Sequence, residues 1–379
     1  LPVGLLERLL GSKHKAAMDD LATVIFSSGS TGAPKGVMLS HYNVVSNIQQ
    51  IGQAFALDRN DRILGILPFF HSFGFTGTLW LPPLLGSGAV YHPNPVDGRG
   101  IGELVGEHRV TFLLATPTFL QIYIRACTPD QFGSVEFVLA GAEKLSERLA
   151  TAFEYRFGLR PMEGYGTTET SPVVTINTRD FRSAGFRQVG AKRGSIGHPL
   201  PGMVARIVDP DTGAPVALGR AGLLLVKGPN VMQGYLGQAE KTAEVLRDGW
   251  YTTGDIAAMD ADGFLAITDR LSRFSKIGGE MVPHIKVEEN LHELGGLTEQ
   301  TFAVTGVPDE RKGERLVVLY QNLDESAVQS VVEKMTATDL PNIWKPRGDQ
   351  FFKVEALPYL GTGKLDLKQI KTLAAELSP

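Results

Sequence analysis

A segment rich in glycine, serine and threonine near the start of the chain constrains its fold more than any other. It covers residues 27–36 and reads SSGSTGAPKG. The apolar run 22–26 that precedes it predicts a buried strand, and Ser40 is a suitable N-cap for a helix over residues 41–55. We therefore interpret residues 27–36 as a loop that leads from a strand into a helix.

The chemistry of this loop suits the phosphates of a nucleotide. Glycine allows backbone N–H groups to turn toward an anion, serine and threonine add hydroxyl donors, and lysine adds a positive charge. The loop is not a Walker A motif, because Pro34 precedes the lysine and Gly36 follows it, and it has no G-x-G-x-x-G pattern. Composition alone fits a flexible surface loop equally well. The candidate phosphate contacts are Ser28, Gly29, Ser30, Thr31, Gly32 and Lys35.

The bulk composition is that of an ordinary globular protein. The 379 residues are enough for two or three domains, and 43% of them are hydrophobic and 21% charged. The net charge of −4 argues against nucleic-acid binding, which is typical of basic proteins. The one cysteine, Cys127, excludes an internal disulfide and a cysteine-rich zinc site, and we expect it to pack in the core. No apolar run is long enough to span a bilayer, and no signal peptide opens the chain.

Three regions with different strand and helix patterns predict the fold class. Strand patterns alternate with helical patterns from residue 21 to about residue 166, which predicts a mostly parallel α/β sheet. Short strands separated by turns, in residues 194–270, predict a small antiparallel β subdomain, either a sheet or a small barrel. Residues 271–379 predict a compact α+β unit. We therefore expect an α/β protein with a large domain, residues 1–270, followed by a small C-terminal domain, residues 271–379.

A second candidate binding segment, EGYGTTE at residues 163–169, is predicted to follow a strand. An adenine ring can stack on Tyr165, the hydroxyl of Thr167 can donate to a phosphate, and Glu169 can hold Mg²⁺ through its carboxylate oxygens. Taken alone, the segment is better explained as a turn at a strand end with a solvated glutamate. The remaining candidate contacts of the segment are Gly164, Gly166 and Thr168.

Three further segments place single chemical groups beside glycine or aromatic residues. His71 lies in the aromatic segment PFFHSFGF, where a lone histidine more often has a structural role. Asp255 ends the segment WYTTGD, and its carboxylate can accept hydrogen bonds from both hydroxyls of a ribose or cap a strand. Gly278 and Gly279, followed by Glu280, interrupt a strand-like run, which indicates close approach of the backbone to a ligand.

Together with the segment LPYLGTGK at residues 357–364, these segments resemble, in order, the motifs of the acyl-adenylate-forming (AMP-binding) superfamily. The superfamily includes acyl-CoA synthetases, adenylation domains of peptide synthetases and luciferases. The resemblance extends from residue 21 to residue 364. It implies that residues 27–36 are the phosphate loop and that residues 163–169 are the adenine and magnesium motif. It also implies that Gly141, Ala142 and Glu143 form the other wall of the adenine pocket.

The resemblance implies roles for residues at the reacting centre. His71 orients or gates the acyl group, and Asp255 and Arg270 contact the ribose. Lys364 is the catalytic lysine, and it acts with the Thr167–Glu169 segment. A substrate carboxylate and the α-phosphate of ATP repel each other, so a lysine charge between them, together with Mg²⁺ on the phosphates, stabilises the transition state.

The resemblance further implies that the C-terminal domain is mobile. In the superfamily this domain rotates after the adenylate forms, and a loop such as that of Gly278, Gly279 and Glu280 then lines the thiol tunnel. Ser272 stands where the hinge of the family usually carries aspartate or lysine. Members also carry a substantial segment ahead of the phosphate loop, so we expect the large domain of this chain to be truncated at its N-terminus.

These implications predict an ATP-dependent acid–thiol ligase. It would join a carboxylic acid to AMP, release pyrophosphate, and pass the acyl group to a pantetheine thiol. The implied cofactors and co-substrates are ATP or AMP, Mg²⁺, and coenzyme A or a pantetheinyl acyl carrier protein. The alternatives are an adenylating enzyme of another acid such as an aryl acid, a degenerate AMP-binding module, and a luciferase-like oxidase. The presence of Glu169 and Lys364 argues against the binding module.

The sequence also narrows the choice of acid. Amino-acid-activating relatives place an aspartate shortly after the His71 segment to pair the substrate ammonium, whereas residues 69–92 contain no Asp or Glu. A buried ammonium without a partner is costly, so we expect a medium- or long-chain fatty acid. Residues 276–282 and 361–364 look most like the acyl-carrier-protein synthetase half of bifunctional 2-acylglycerophosphoethanolamine acyltransferases. In those proteins a membrane-associated acyltransferase precedes the ligase, which implies phospholipid metabolism. We expect a cytoplasmic location, with a peripheral position at the inner face of the membrane as an alternative for the full-length protein.

Overall fold

The computed structural model describes residues 15–27, 34–270, 273–278, 280–297, 299–359 and 365–378. The chain has two compact units. The first contains Leu1–Arg206, Leu225–Thr253 and Met259–Ala266, and the second contains Ile207–Leu224, Gly254–Ala258 and Ile267–Pro379. The domain boundary expected at residue 270 stays a prediction.

A β-hairpin lies at the start of the first unit. Strands β1 (Leu21–Ser27) and β2 (Lys35–Ser40) are antiparallel neighbours. The segment expected to join a strand to a helix therefore joins two strands, so this prediction is wrong. The cause is tertiary, because β1 and a later strand, Gly234–Tyr235, pair with β2 on either side. The local sequence does not contain this information.

Helix α1 (His41–Phe55) follows β2 directly and begins where the sequence predicts. The Ser40 hydroxyl accepts a hydrogen bond from the Asn43 backbone N–H at 3.2 Å. The Asn43 side chain in turn accepts one from the Ser40 backbone N–H at 2.9 Å. This reciprocal capping satisfies two backbone groups and fixes the start of the helix.

A seven-stranded sheet forms most of the first unit. The strands after β2 are β3 (Arg62–Gly65), β4 (Gly88–Tyr91), β5 (Phe112–Ala115), β6 (Phe137–Ala140), β7 (Met162–Gly166), β8 (Val173–Ile176), β9 (Phe181–Ser183), β10 (Phe186–Gln188) and β11 (His198–Pro199). The sheet order is β11-β8-β7-β6-β5-β3-β4, and the five strands from β7 to β4 are parallel. Strands β5 and β6 are buried at every residue, as expected for parallel strands covered on both faces. The predicted mostly parallel sheet is confirmed.

Helices connect the parallel strands. They are α2 (Ser72–Gly74), the π-helical segment Phe75–Trp80, α3 (Leu81–Leu85), α4 (Gly98–Glu107), α5 (Pro117–Ala126) and α6 (Glu147–Phe157). The side chains of Thr116 and Ser146 cap α5 and α6. Cys127 follows α5 and is buried, and its thiol donates to the Gly98 carbonyl at 3.1 Å. Its burial confirms the predicted place in the core. Burial also raises the pKa of the Cys127 thiol to about 11, so the thiol stays protonated at physiological pH.

Short strands dominate the region after β11, as predicted for residues 194–270. They are β12 (Val204–Val208), β13 (Gly222–Lys227), β14 (Gly234–Tyr235), β15 (Leu246–Arg247), β16 (Trp250–Met259) and β17 (Leu265–Arg270), with helix α7 (Ala239–Val245) between β14 and β15. Strand β15 is antiparallel to β16, and β14 is antiparallel to β2. None of the helices in the described ranges combines the length and the apolar character that a membrane crossing needs.

The C-terminal part of the second unit is an α+β structure, as predicted. Its elements are β18 (Phe274–Ile277), β19 (Glu280–Pro283), α8 (His284–Gly295), β20 (Phe302–Asp309), β21 (Gly313–Tyr320), α9 (Glu325–Thr336), β22 (Phe351–Lys353) and α10 (Leu367–Leu377). The sheet order is β19-β18-β21-β20, with β22 parallel to β21. Successive residues of β20 alternate between two cores: Phe302 packs with residues of α8 and α9, and Ala303 packs with residues of α10.

Buried polar groups link β18 to α8 in this unit. Arg273 forms an ion pair with Glu288, whose carboxylate also accepts a hydrogen bond from the Val304 backbone N–H at 2.7 Å. The Ser275 hydroxyl and the Nε2 atom of His284 are 2.8 Å apart. Burial, with the nearby charges of Arg273 and Lys371, lowers the pKa of His284 to about 3. His284 is therefore neutral in the folded protein at physiological pH.

We predict that the second unit loses stability as the pH falls below about 6.5. The pKa of His284 is about 3 when folded and 6.5 in an ordinary histidine, so the unfolded chain binds more protons between these values. The stabilisation that comes from keeping His284 neutral is complete above pH 6.5 and is lost progressively toward pH 3. The loss in the free energy of unfolding reaches about 2 kcal/mol at pH 5.

Urea unfolding of the wild type and of His284→Asn at pH 7.5, 6.0 and 5.0 measures this loss. The free energy of unfolding should fall more steeply with decreasing pH in the wild type, because the variant has no proton to take up at this position. His108→Asn, which replaces an exposed histidine, should keep the wild-type slope. Equal slopes in the wild type and His284→Asn would contradict the prediction.

Candidate active site

A buried carboxylate lies at the centre of the candidate site. Glu169 belongs to the short 3₁₀ helix Thr168–Thr170 and is 9% exposed. The hydroxyl of Tyr235 donates a hydrogen bond to Glu169 Oε1 at 2.9 Å. The backbone carbonyl of Glu169 accepts a hydrogen bond from the Met232 N–H at 2.8 Å. The segment that contains β14 therefore binds both the side-chain carboxylate and the backbone carbonyl of Glu169.

The turn that carries Glu169 is held by close backbone approach. A Cβ atom on Gly166 would lie 1.9 Å from the Pro172 carbonyl oxygen, so only glycine fits at this position. The adjacent Thr167 N–H donates to the same oxygen at 3.0 Å. The Thr170 hydroxyl donates to the Thr167 carbonyl at 3.0 Å. This packing fixes the direction in which the Thr167–Glu169 segment leaves β7.

Two buried asparagines tie this turn to distant parts of the first unit. The side-chain amide of Asn230 donates to the Thr170 carbonyl at 2.6 Å and to the Val173 carbonyl at 2.9 Å. The side-chain amide of Asn47, on α1, donates to the Val173 carbonyl at 2.8 Å and accepts from the Val173 N–H at 3.0 Å. Both asparagines are fully buried. The sequence analysis missed them, because their partners are far away along the chain.

Two buried tyrosines surround the carboxylate. Tyr251, on β16, is buried and lies close to Tyr235 and Glu169. Burial raises the pKa of both tyrosines, and the negative charge of Glu169 raises it further. Both hydroxyls therefore remain protonated donors at physiological pH. Tyr251 belongs to a predicted segment, whereas nothing in the sequence analysis pointed to Tyr235.

A predicted phosphate-loop residue reaches this cluster. The Nζ atom of Lys35 lies 4.9 Å from the centre of the Tyr235 ring, within the range of a cation–π interaction. Lys35 and Glu169, which come from two different predicted segments, are thus brought to the same tyrosine. The other predicted loop residues, Ser28, Gly29, Ser30, Thr31 and Gly32, lie outside the described residues.

The His71 segment also meets the Glu169 segment. His71 is exposed and caps α2, where its Nδ1 atom accepts from the Phe73 N–H at 3.4 Å. The next hydroxyl, Ser72 Oγ, donates to Thr168 Oγ1 at 3.4 Å, and Thr76 Oγ1 donates to the Ser171 carbonyl at 2.7 Å. The structure therefore brings these two predicted segments together.

The predicted adenine segment forms part of a strand, not a turn after one. Gly164 and Tyr165 lie within β7 and pair with Ile176 and Thr175 of the antiparallel β8. The prediction that residues 163–169 follow a strand is therefore wrong for the first four of them. Pairing with β8 outweighs the low strand propensity of the two glycines. Because β8 is a tertiary partner, this pairing cannot be predicted from the sequence of residues 163–169 alone.

The predicted opposite wall of the adenine pocket follows β6. A Cβ atom on Gly141 would lie 3.1 Å from the Phe73 ring, and Ala142 has a left-handed φ of 67°. The Glu143 carboxylate accepts hydrogen bonds from the Thr118 hydroxyl at 2.7 Å and from the Thr118 N–H at 3.2 Å. These contacts place the Gly141–Glu143 turn at the carboxyl edge of the parallel strands, where ligands bind in open α/β sheets.

The remaining predicted site residues belong to the second unit or lie outside the described residues. Asp255 is 4% exposed in β16, and Arg270 ends β17. Gly278 has a φ of 60° and donates its N–H to the Lys312 carbonyl at 2.9 Å, and Glu280 is exposed. Their predicted roles stay predictions. Ser272, Gly279 and Lys364 lie outside the described residues.

The donor set at Glu169 fits a magnesium ion that is held mainly by a nucleotide. Among the described residues there is no group of three or more His, Cys, Asp or Glu side chains that can hold a metal ion. Mg²⁺ does not need one, because it is commonly bound by one or two carboxylates together with substrate phosphates and water. A single buried carboxylate with an exposed edge meets this requirement.

A cavity of about 380 Å³ lies beside the candidate site and shares Glu163 with it. Four basic side chains line it, and each already has a carboxylate partner. These pairs are Arg160 with Glu147 and Glu154, Arg179 with Glu136, Lys192 with Asp260, and Arg193 with Glu147. The cavity therefore offers no unpaired cation for an anionic ligand among these four side chains.

Comparison with known proteins gives consistent matches. Residues 7–236 match the profile of the family described as AMP-binding enzyme. The chain is 35% identical over 354 residues to a feruloyl-CoA synthase of Amycolatopsis sp, which covers 92% of this chain and 69% of that protein. It is 36% identical over 303 residues to a long-chain-fatty-acid–CoA ligase of Bacillus subtilis, which covers 78% of this chain and 51% of that protein.

Solved structures share the fold. The o-succinylbenzoate coenzyme A synthetase of Bacillus subtilis, in complex with ATP and a magnesium ion, superposes with a TM-score of 0.80 at 26% sequence identity. The match covers 93% of this chain and 70% of that one. The chain thus spans between about half and 70% of the length of these three relatives.

Proposed function

The chain belongs to the AMP-binding enzyme family, and from that membership we propose that it is an ATP-dependent acid–thiol ligase. It joins a carboxylic acid to AMP, releases pyrophosphate, and then transfers the acyl group to a thiol. The observation that carries the proposal is the buried Glu169 carboxylate, held by Tyr235 next to Lys35 of the predicted phosphate loop. Relatives named as acid–CoA ligases support it.

Glu169 and Lys35 act on the phosphates of ATP in this proposal. When bound, Mg²⁺ neutralises part of the phosphate charge. Glu169 holds the metal through a carboxylate oxygen, and the Thr167 and Thr168 hydroxyls donate to phosphate oxygens. Lys35 places a positive charge at the same end of the nucleotide.

The rest of the nucleotide is assigned by residue type and by the family motifs. The Tyr165 ring stacks on the adenine, and the turn of Gly141, Ala142 and Glu143 forms the opposite wall. Asp255 accepts hydrogen bonds from the two ribose hydroxyls, and Arg270 contacts the ribose. Ser28, Gly29, Ser30, Thr31 and Gly32 complete the phosphate contacts.

Lys364 serves the first half-reaction. A substrate carboxylate oxygen attacks the α-phosphorus of ATP, the bond to pyrophosphate breaks, and the acyl-adenylate forms. Both reacting groups are anionic, so they repel each other. The positive charge of Lys364 between them offsets the repulsion while the bond forms, and His71 orients the acyl group.

The second half-reaction uses a different part of the C-terminal domain, residues 271–379. The thiol attacks the acyl carbonyl and AMP leaves. We assign Gly278, Gly279 and Glu280 to the entrance for the thiol. One domain serves both steps if it rotates about residues 270–273 and so exchanges Lys364 for this loop.

A medium- or long-chain fatty acid is the substrate that the sequence favours. The absence of Asp and Glu from residues 69–92 leaves no partner for an ammonium group there. An aryl acid is the second candidate, and the 35% identity to a feruloyl-CoA synthase favours it. The relatives are named for coenzyme A as the thiol. Transfer to an acyl carrier protein in phospholipid metabolism, at the cytoplasmic face of a membrane, rests on residues 276–282 and 361–364 alone.

ATP–pyrophosphate exchange on the full-length enzyme tests the substrate assignment. We expect exchange with octanoate and palmitate and none with leucine, because a buried ammonium would have no partner. Ferulate is assayed in parallel, and exchange with ferulate alone would replace the fatty acid by the aryl acid. Robust exchange with leucine and none with fatty acids would overturn the assignment.

Separate assays of the two half-reactions test the division of labour in the C-terminal domain. We expect Lys364→Ala to lower adenylate formation by about a hundredfold or more, the scale of losing one preorganised electrostatic group. Given preformed acyl-adenylate, it should make thioester at close to the parent rate. Gly279→Leu should do the reverse, because bulk at this position blocks the thiol and leaves the first step intact.

Lys353→Ala is the matched control, since it removes an exposed lysine from the end of β22. It should leave both half-reactions unchanged. Equal damage to both steps in Lys364→Ala and in Gly279→Leu would rule out a rotating domain with two separate roles.

A further inference from the structure

The Glu169 carboxylate has two oxygens in different environments. Oε1 accepts the hydrogen bond from the Tyr235 hydroxyl at 2.9 Å. For Oε2, the described part of the chain supplies no hydrogen-bond donor. Tyr235 is 3% exposed and Glu169 is 9% exposed, so water reaches the carboxylate only at its edge. One oxygen is thus occupied by the protein, and the other is available to a cation.

Tyr235 is itself held firmly. Its strand, β14, pairs with β2, where Tyr235 lies opposite Val37. Its backbone N–H donates to the Thr242 hydroxyl at 2.9 Å. The Tyr235 ring lies under the Lys35 ammonium, whose Nζ atom is 4.9 Å from the ring centre. The hydroxyl therefore presents one fixed direction to Glu169.

A neutral donor suits this position better than a charged one. A lysine or arginine at Oε1 would cancel the charge of the carboxylate, and with it the attraction for a metal ion. The phenol donates a hydrogen bond at 2.9 Å and leaves the negative charge of the carboxylate in place. Groups that orient a metal ligand in this way commonly change metal affinity or activity by about 10–100-fold when they are removed.

We propose that Tyr235 is a positioning residue that fixes Oε1 of Glu169 so that Oε2 binds the magnesium ion carried by ATP. This inference rests on the proposed function, which assigns the metal to Glu169. Tyr235 contacts Glu169 through its hydroxyl. It acts through the orientation of the carboxylate, and Lys35 acts on the same ring from the phosphate loop.

The test compares two variants that each lose one buried phenolic hydroxyl. Tyr235→Phe keeps the ring beneath Lys35 and removes the hydrogen bond to Glu169. Tyr123→Phe is the matched control: Tyr123 is fully buried, and its hydroxyl donates to the Pro95 carbonyl at 2.9 Å. Both substitutions remove a comparable buried hydrogen bond, so a general loss of stability affects them alike.

Calorimetric titration of ATP into each protein, in EDTA and in saturating Mg²⁺, gives the readout. The quantity compared is the factor by which Mg²⁺ tightens ATP binding. We expect this factor to fall by about tenfold or more in Tyr235→Phe. A fall of this size is typical when a group that hydrogen-bonds to a metal ligand is removed. Tyr123→Phe should keep the wild-type factor. Binding of AMP in EDTA, which involves no metal, should be unchanged in both variants.

An unchanged factor in Tyr235→Phe, or an equal fall in both variants, would overturn the positioning role. A loss of AMP binding by Tyr235→Phe would also overturn it, because it would show a general disturbance of the site. The proposed function fails in a different way: no acid would support pyrophosphate exchange, although Mg²⁺ still tightens ATP binding to the wild type. If Mg²⁺ does not tighten ATP binding to the wild type at all, the metal assignment and the role of Tyr235 both fall.

Discussion

A carboxylate buried among aromatic rings needs a partner, and the partner of Glu169 is a neutral phenol. Removing a charge from water is costly unless hydrogen bonds or an opposite charge compensate it. The Tyr235 hydrogen bond supplies part of the compensation and leaves the negative charge intact. In the proposed function, an ATP-bound magnesium ion would supply the opposite charge that this carboxylate still lacks. The local electrostatics therefore favour the ligand before it arrives.

The surrounding structure keeps this carboxylate in place. Gly166 allows the backbone to pass within contact of Pro172, and buried Asn47 and Asn230 bind the carbonyl groups that the tight turn leaves unpaired. Unsatisfied carbonyls in such a turn would cost free energy, so these amides stabilise it as they fix its geometry. A site whose backbone is held in place in this way loses little conformational entropy when the ligand binds.

The sequence predicted the elements that depend on local chemistry. The cap at Ser40 marked the start of helix α1, because a side-chain oxygen and a backbone N–H three residues apart suffice. The alternation of strands and helices predicted the parallel sheet. Both signals are readable within a short window of the chain.

The elements that depend on distant partners escaped prediction. Strand β2 exists because β1 and β14 pair with it on either side, and β7 extends through two glycines because β8 pairs with it. Tyr235 lies 66 residues from Glu169, and Asn47 lies 126 residues from Val173. Nothing near these residues in sequence reveals their partners. The candidate motif residues are visible in the sequence, and the residues that hold them in the structure are not.

Pyrophosphate exchange by Glu169→Gln tests the central claim most directly. The substitution keeps the shape of the side chain and its hydrogen bond to Tyr235, and it removes the charge that holds the cation. Exchange in saturating Mg²⁺ should fall by about a hundredfold or more, while AMP binding without metal changes little. Glu136→Gln, which neutralises an exposed carboxylate paired with Arg179, should exchange at the wild-type rate. Normal exchange by Glu169→Gln would show that this carboxylate is not the metal ligand.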